Sequence, residues 1–215
     1  FLQNFSACIE FLRNKPLSRY LKLLTRDILS FNHQQQVEIL SILPRFNESL
    51  KLTDFLIKRF DEFDEIQWLD VLITISKLKQ NNGIDFVVDK LDILSTDDES
   101  ILLAKLSSLN IEFDQDVTRI FRDRFESCEK IELKIAYLRL LCSGERKVAV
   151  PTIIDSLSNC PEALITEAIQ ALIRLKLHAQ IPSSFLTQYS SSSHYGLSCA
   201  VAQVYALNSV SYTHL

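Results

Sequence analysis

Apolar residues in this chain recur with a period of about 32, and that recurrence limits the fold more than any other feature. One column runs Leu43, Leu78, Leu109, Leu141, Ile173 and Tyr205, at steps of 35, 31, 32, 32 and 32. Around Ile173, the residues Ala168, Ile169, Ala171, Leu172 and Leu175 share the spacing of a single helical face. A second column, Phe55, Val88, Phe121, Ile153 and Phe185, lies between copies of the first at steps of 33, 33, 32 and 32. Two helices per period follow. A hairpin of that size cannot bury its apolar face alone and must stack on its neighbours.

The punctuation keeps the same beat. Val150-Pro151 and Ile181-Pro182 stand 31 apart, each placing proline in a first helical turn, where its missing N–H costs nothing. Cys128-Glu129 and Cys160-Pro161-Glu162 open helices 32 apart. Thr96-Asp97-Asp98-Glu99 has the form of a capping box, and the acidic run Asp61, Glu62, Asp64 and Glu65 precedes the helix carrying Trp68. Asn82-Gly83 and Ser143-Gly144 are expected to stop helices, and Ser190 to Ser193 to form a loop between the last two. Three Gly and five Pro make up about 4% of 215 residues, where about 12% is average. So few turn formers argue against sandwiches, barrels and glycine-loop nucleotide folds.

Tetratricopeptide and ankyrin signatures are absent despite their similar period. The segment Ala149-Val150-Pro151-Thr152-Ile153-Ile154-Asp155-Ser156-Leu157, followed by Glu167-Ala168-Ile169-Gln170-Ala171-Leu172-Ile173-Arg174-Leu175, instead resembles the short bacterial HEAT-like repeat. The resemblance covers about Glu129 to Leu207, and before that only the periodicity persists. It implies an all-α, right-handed α-solenoid of about six antiparallel helix hairpins, serving as a binding scaffold. The expected units are 1–32 (divergent), 33–62, 63–95, 96–127, 128–158, 159–191 and an incomplete 192–209, together one solenoid. The final stretch Val210 to Leu215 resembles an in-frame translation of a sequencing-library adapter and is expected to pack against nothing. The chain starts at Phe1 and holds no methionine, so it reads as a fragment open at both ends. The helix near His194 to Ser209 would then lack a second helix to cover it. Some of Val201, Val204, Tyr205 and Leu207 should be more exposed than Ile169, Leu172, Ile173 and Leu175.

Five widely spaced cysteines, Cys8, Cys128, Cys142, Cys160 and Cys199, read as buried free thiols of a reducing cytosol. No apolar run approaches the roughly 18 residues that span a bilayer. A cytoplasmic location is expected, or the cytoplasmic face of a membrane if an anchor precedes Phe1.

Catalytic patterns are missing. Gly83, Gly144 and Gly196 are too far apart for a phosphate-cradling loop or a nucleophile elbow, and the four histidines include no H-E-x-x-H or zinc-ligand spacing. The expectation is therefore no enzyme, no cofactor and no metal. Nucleic acid needs a basic stripe. The columns flanking Phe55 instead read Ile57, Lys90, Asp123, Asp155, Thr187 and Leu56, Asp89, Arg122, Ile154, Leu186, in a chain of net charge −4. A protein or peptide partner fits better. The candidate contact residues are the charges on second helices: Lys58, Arg59, Lys90, Arg119, Arg122, Asp123 and Asp155. Trp68, the single indole, reads as a lid over the core between repeats. The alternative reading is an accessory solenoid of a larger enzyme or nucleic-acid-binding protein whose active part lies in flanking sequence.

Overall fold

The described residues are mostly helical, and no strand occurs among them. The computed structural model describes residues 5–16, 18–109, 111–158 and 160–211, with only the backbone at 210 and 211. The chain packs as two compact units, Phe1–Leu109 and Asn110–Leu215.

The first unit holds α1 (Phe5–Asn14), α2 (Ser18–Asp27), α3 (His33–Ile42), α4 (Ser49–Lys58), α5 (Glu65–Leu78), α6 (Asn81–Asp89) and α7 (Thr96–Ser108). Helices α1, α3, α5 and α7 pack each against the next, and α4 and α6 pack on each other and on α5. Three N-caps repeat at the period. Asn32 Oδ1 accepts the Gln35 N–H at 3.0 Å while Gln35 Oε1 accepts the Asn32 N–H at 3.2 Å. Thirty-two residues on, Gln67 Oε1 accepts the Asp64 N–H at 3.2 Å. The next cap is Ser95, whose hydroxyl accepts the Asp98 N–H, so the cap stands one residue before Thr96. Ser95 has the extended backbone of a cap, Thr96 is already helical, and carboxylates three residues on from both make either placement look right in sequence.

The second unit holds α8 (Gln115–Ser127), α9 (Ile131–Leu141), α10 (Arg146–Asp155), α11 (Glu162–Arg174), α12 (Ser183–Tyr189) and α13 (Tyr195–Ser211). Here α9, α11 and α13 pack in order, α8 packs on α9 and α10, and α12 packs on α13.

Ties between successive helices span about one period in both units. Arg45 Nη1 donates to the Arg13 carbonyl at 2.9 Å, 32 residues away, and Gln80 Nε2 to Ser49 Oγ at 3.1 Å, 31 away. Gln67 donates to Gln36 between buried side chains, and Thr74 Oγ1 reaches the Leu40 carbonyl at 3.4 Å. In the second unit Gln170 bonds Gln203 at 3.2 Å across 33 residues, and Ser192 bonds Glu162 at 2.7 Å across 30.

Several sequence expectations are corrected by this packing. Val88, Phe121 and Ile153 are buried, but Phe55 and Phe185 are half-buried and the next residues, Leu56 and Leu186, take the core positions. Both sites carry adjacent apolar residues, so periodicity alone cannot say which one faces inward. In the first-helix column Leu43, Leu78 and Leu141 are buried, Leu109 and Ile173 half-buried, and Tyr205 is exposed. Asn82 and Gly83 lie in the first turn of α6 rather than stopping a helix; α5 ends instead on Lys79 in the left-handed region, φ 55°. Gly83 serves close approach, since a Cβ there would lie 2.9 Å from Ile75 and Thr53 side-chain carbons. Lys176, φ 60°, plays the part of Lys79 after α11. Ser143-Gly144 does follow the end of α9, and Ser190 to Ser193 is a loop. The cysteines are less buried than expected: Cys8, Cys128, Cys142 and Cys160 are half-buried and Cys199 is exposed, on the side of α13 away from Leu197, Val201 and Val204. On α13, Val201 and Val204 are as buried as Ile169 and Leu172, whereas Tyr205 and Leu207 are more exposed than Ile173 and Leu175. The expectation for the tail falls on Tyr212 to Leu215 and the side chains of Val210 and Ser211, outside the described residues.

Candidate partner-binding surface

Lys58 closes α4 and is exposed, and Arg59 follows at its C-cap. The Arg59 guanidinium forks onto Glu62 at 2.9 and 2.6 Å and lies 5.8 Å from the Phe55 ring centre. That fork holds the Glu62 carboxyl below its ordinary range. Lys90 caps α6, which packs on α4, and places its ammonium 5.1 Å from the Phe60 ring centre and 5.4 Å from that of Phe86. Asp61 lies 3.7 Å from it. Trp68 stacks on buried Phe60 at 5.6 Å, and its indole N–H donates to the Phe63 carbonyl at 3.2 Å, so the indole lies over a core ring. The fold therefore gathers Arg59 and Lys90 around the turn Phe60–Glu62, with rings beneath the cations and carboxylates beside them.

In the second unit Arg119 pairs with Asp116 at 3.2 Å, and Arg122 forks onto Asp123 at 2.9 and 2.6 Å with Glu126 at 3.8 Å. Asp155 ends α10, which packs on α8, and is exposed. Arg119 and Arg122 are thus neutralised along their own helix rather than offered as bare cations. Pairs this exposed contribute about 0–1 kcal/mol each, so a partner's groups can displace them at small cost.

Sequence reasoning missed one charged cluster. Glu167 on α11, a largely buried carboxylate, accepts from Arg139 of α9 at 2.9 Å and from Arg174 one helical stretch on. Burial pushes this carboxyl up, but the two guanidiniums outweigh it and its pKa lies below the ordinary value. Burial raises the Cys142 thiol nearby, against a smaller opposing pull from Arg174. A polar recess of about 390 Å³ opens where Cys142 to Arg146 turn past Ile111 to Phe113. The 28-residue offset between Arg139 and Glu167 falls short of the period and gave no signal for the cluster.

Among the described residues no three His, Cys, Asp or Glu side chains converge as a metal site, and no helix is long and apolar enough to cross a membrane. No protein-family model matches the chain, and neither the curated proteins nor the solved structures give a match.

Proposed function

We propose that this chain is a HEAT-like α-solenoid of about six hairpins, acting in the cytoplasm as a non-catalytic scaffold that binds a protein or peptide. The observation that carries the reading is the set of side-chain ties spaced 28 to 34 residues apart, such as Arg45 to Arg13, Asn82 to Asp54, Thr74 to Leu40 and Gln170 to Gln203. Ties of one period support a stack of like units, each resting on its neighbour. Within each unit such a stack offers a surface of second helices, carrying Lys58, Arg59 and Lys90 in the first and Arg119, Arg122, Asp123 and Asp155 in the second. Mixed charge favours a protein partner over nucleic acid, because Arg119 and Arg122 already answer their own carboxylates.

Two measurements test the proposal. A compact globule of this length has a radius of gyration of about 17 Å; small-angle scattering of a solenoid should give a clearly larger value, and a value at the globular limit refutes the stack. Cross-linking mass spectrometry on the chain in its native cells should then place partner contacts on these residues. The triple reversal Lys58→Glu, Arg59→Glu, Lys90→Glu should remove those cross-links. Cross-links confined to the first helices would refute the assigned surface.

A further inference from the structure

The first 32 residues carry five cations against two anions, net +3, in a chain whose total is −4, so the remainder carries −7. Both anions are engaged locally, Glu10 with Arg13 and Asp27 with Arg26. Between α1 and α2 lies an apolar recess of about 250 Å³ lined by Ala7, Cys8, Phe11, Leu12 and Tyr20. Phe11 is 47% exposed, and Leu23, on the same side of α2 as Tyr20, is 44% exposed. Cations rim this recess. Lys15 follows one turn after Phe11, its N–H on the Phe11 carbonyl, and Arg19, one turn before Leu23, lies 4.9 Å from the Tyr20 ring centre, while Arg26 beyond Leu23 is paired with Asp27.

The other half of a contact lies elsewhere in the same unit. Helices α5 and α7 pack together, and both begin on one edge. Stretches 61–65 and 92–99 hold eight carboxylates; Asp61 and Glu62 pair with the adjacent Lys90 and Arg59, and the edge's charge is carried by Asp64, Glu65, Asp97 and Asp98. Isoleucines project among them: Ile66 at 74% exposure, Ile93 at 42% and Ile101 at 46%. This edge presents aliphatic knobs ringed by negative charge, and the α1–α2 recess is an aliphatic and aromatic hollow ringed by positive charge.

We propose that the recess between α1 and α2 of one copy receives the edge of α5 and α7 from a second copy, so that the chain self-associates through its first unit. Shape argues against a bilayer as occupant, since a flat surface leaves the recess unfilled. Charge selects the edge, because that edge is the acidic and apolar counterpart that every copy already carries. The contact joins two different surfaces, so it is heterologous.

Sedimentation velocity on the full chain tests this. Wild type should associate with rising concentration at about 10 mM salt and should weaken about tenfold or more at about 150 mM, where charges are screened beyond roughly 8 Å. The double variant Lys15→Glu, Arg19→Glu should lose about tenfold in affinity, as should Glu65→Lys, Asp97→Lys. Mixing these two variants should restore association, because the reversed recess then meets the reversed edge. Phe11→Ser should weaken association at both salt concentrations. Thermal melts establish that each variant is folded. A wild type that stays monomeric overturns the proposal. So do a charge variant that associates like wild type, folded variants that fail to rescue each other, or loss of association only on Tyr205→Ser, which would place the contact on α13. Wild type that stays monomeric yet co-sediments with vesicles of anionic lipid would assign the basic hairpin to a membrane surface instead, also against the proposal.

Discussion

Substituting Gly144 by alanine tests how tightly α8 and α10 are held. A Cβ at this position would lie 2.6 Å from Thr118 Cγ2, 2.7 Å from Thr118 Oγ1 and 3.2 Å from Thr118 Cβ. Thr118 has no freedom to retreat: it is fully buried, its hydroxyl donates to the Asp114 carbonyl, and its oxygen accepts the Glu145 N–H at 2.9 Å. Gly144 itself has no positive φ, so the backbone accepts alanine and the substitution alone would stabilise by about 0.4–1 kcal/mol. Overpacking of a buried neighbour costs about 1–3 kcal/mol. Displacing the Thr118 hydroxyl loses about 1 kcal/mol more per hydrogen bond. The net expectation is a destabilisation of about 1–3 kcal/mol, a fall in melting temperature of roughly 2–4 °C per kcal/mol for a chain of this size. A double-mutant cycle with Thr118→Ala isolates the cause. The single Thr118→Ala variant orphans the Glu145 N–H at a cost of about 1–2 kcal/mol. On that background only the 3.2 Å approach to Cβ remains, so Gly144→Ala should cost at least about 1 kcal/mol less than in wild type. Urea titrations of the four proteins measure this. Additive effects, or a neutral Gly144→Ala in wild type, would refute the account.

Phe121→Ala removes a fully buried ring packed edge-on to Phe113 at 5.1 Å and near Tyr137 at 6.1 Å, and should cost about 3–5 kcal/mol in denaturant titration; a loss under about 1 kcal/mol would show that the column is not core. Glu167→Gln should destabilise at neutral pH. Because the Glu167 pKa is depressed in the folded chain, its contribution is present above the unfolded value of about 4.3 and is lost as pH falls through the folded value. The stability gap between variant and wild type should therefore close on acidification below about pH 4, and a gap independent of pH counts against the Arg139–Glu167–Arg174 cluster. Iodoacetamide at mildly alkaline pH should alkylate exposed Cys199 well before Cys142, whose thiol is raised by burial; peptide mass spectrometry that finds the reverse order would contradict the described burial.

The helical class and the beat of 32 were legible because apolar side chains must recur wherever like helices stack. The residue that faces inward was not legible from the period, because each column residue has an apolar neighbour: packing chose Phe121 over Ile120, but Leu56 over Phe55 and Leu186 over Phe185. Capping was half legible. Asn32, Asp64 and Ser95 stand 32 and 31 apart; a strict period of 32 lands on Thr96, which also fits the local pattern, so the cap was misplaced by one residue. The left-handed residues Lys79 and Lys176 left no signal, because lysine has no preference for that conformation. Among the candidate contacts, the pairing of Arg119 with Asp116 was readable from its three-residue spacing. The pairing of Glu167 with Arg139 was not, since it depends on which faces of α9 and α11 meet.

The one-period ties have a consequence for how such a chain can change in length. Each closes a loop of about thirty residues, and closing any of them costs a similar chain entropy, on the order of 3 kcal/mol by (3/2)RT ln n. In the proposed stack, a deletion or duplication of one whole period would still set first helices beside first helices and cap near cap, as with Asn32 and Asp64. A half-period change of about 16 residues sets first helices where second helices belong and turns their buried stripes outward. If the proposed stack of like units is right, changes in length should be tolerated best in steps of about 32 residues.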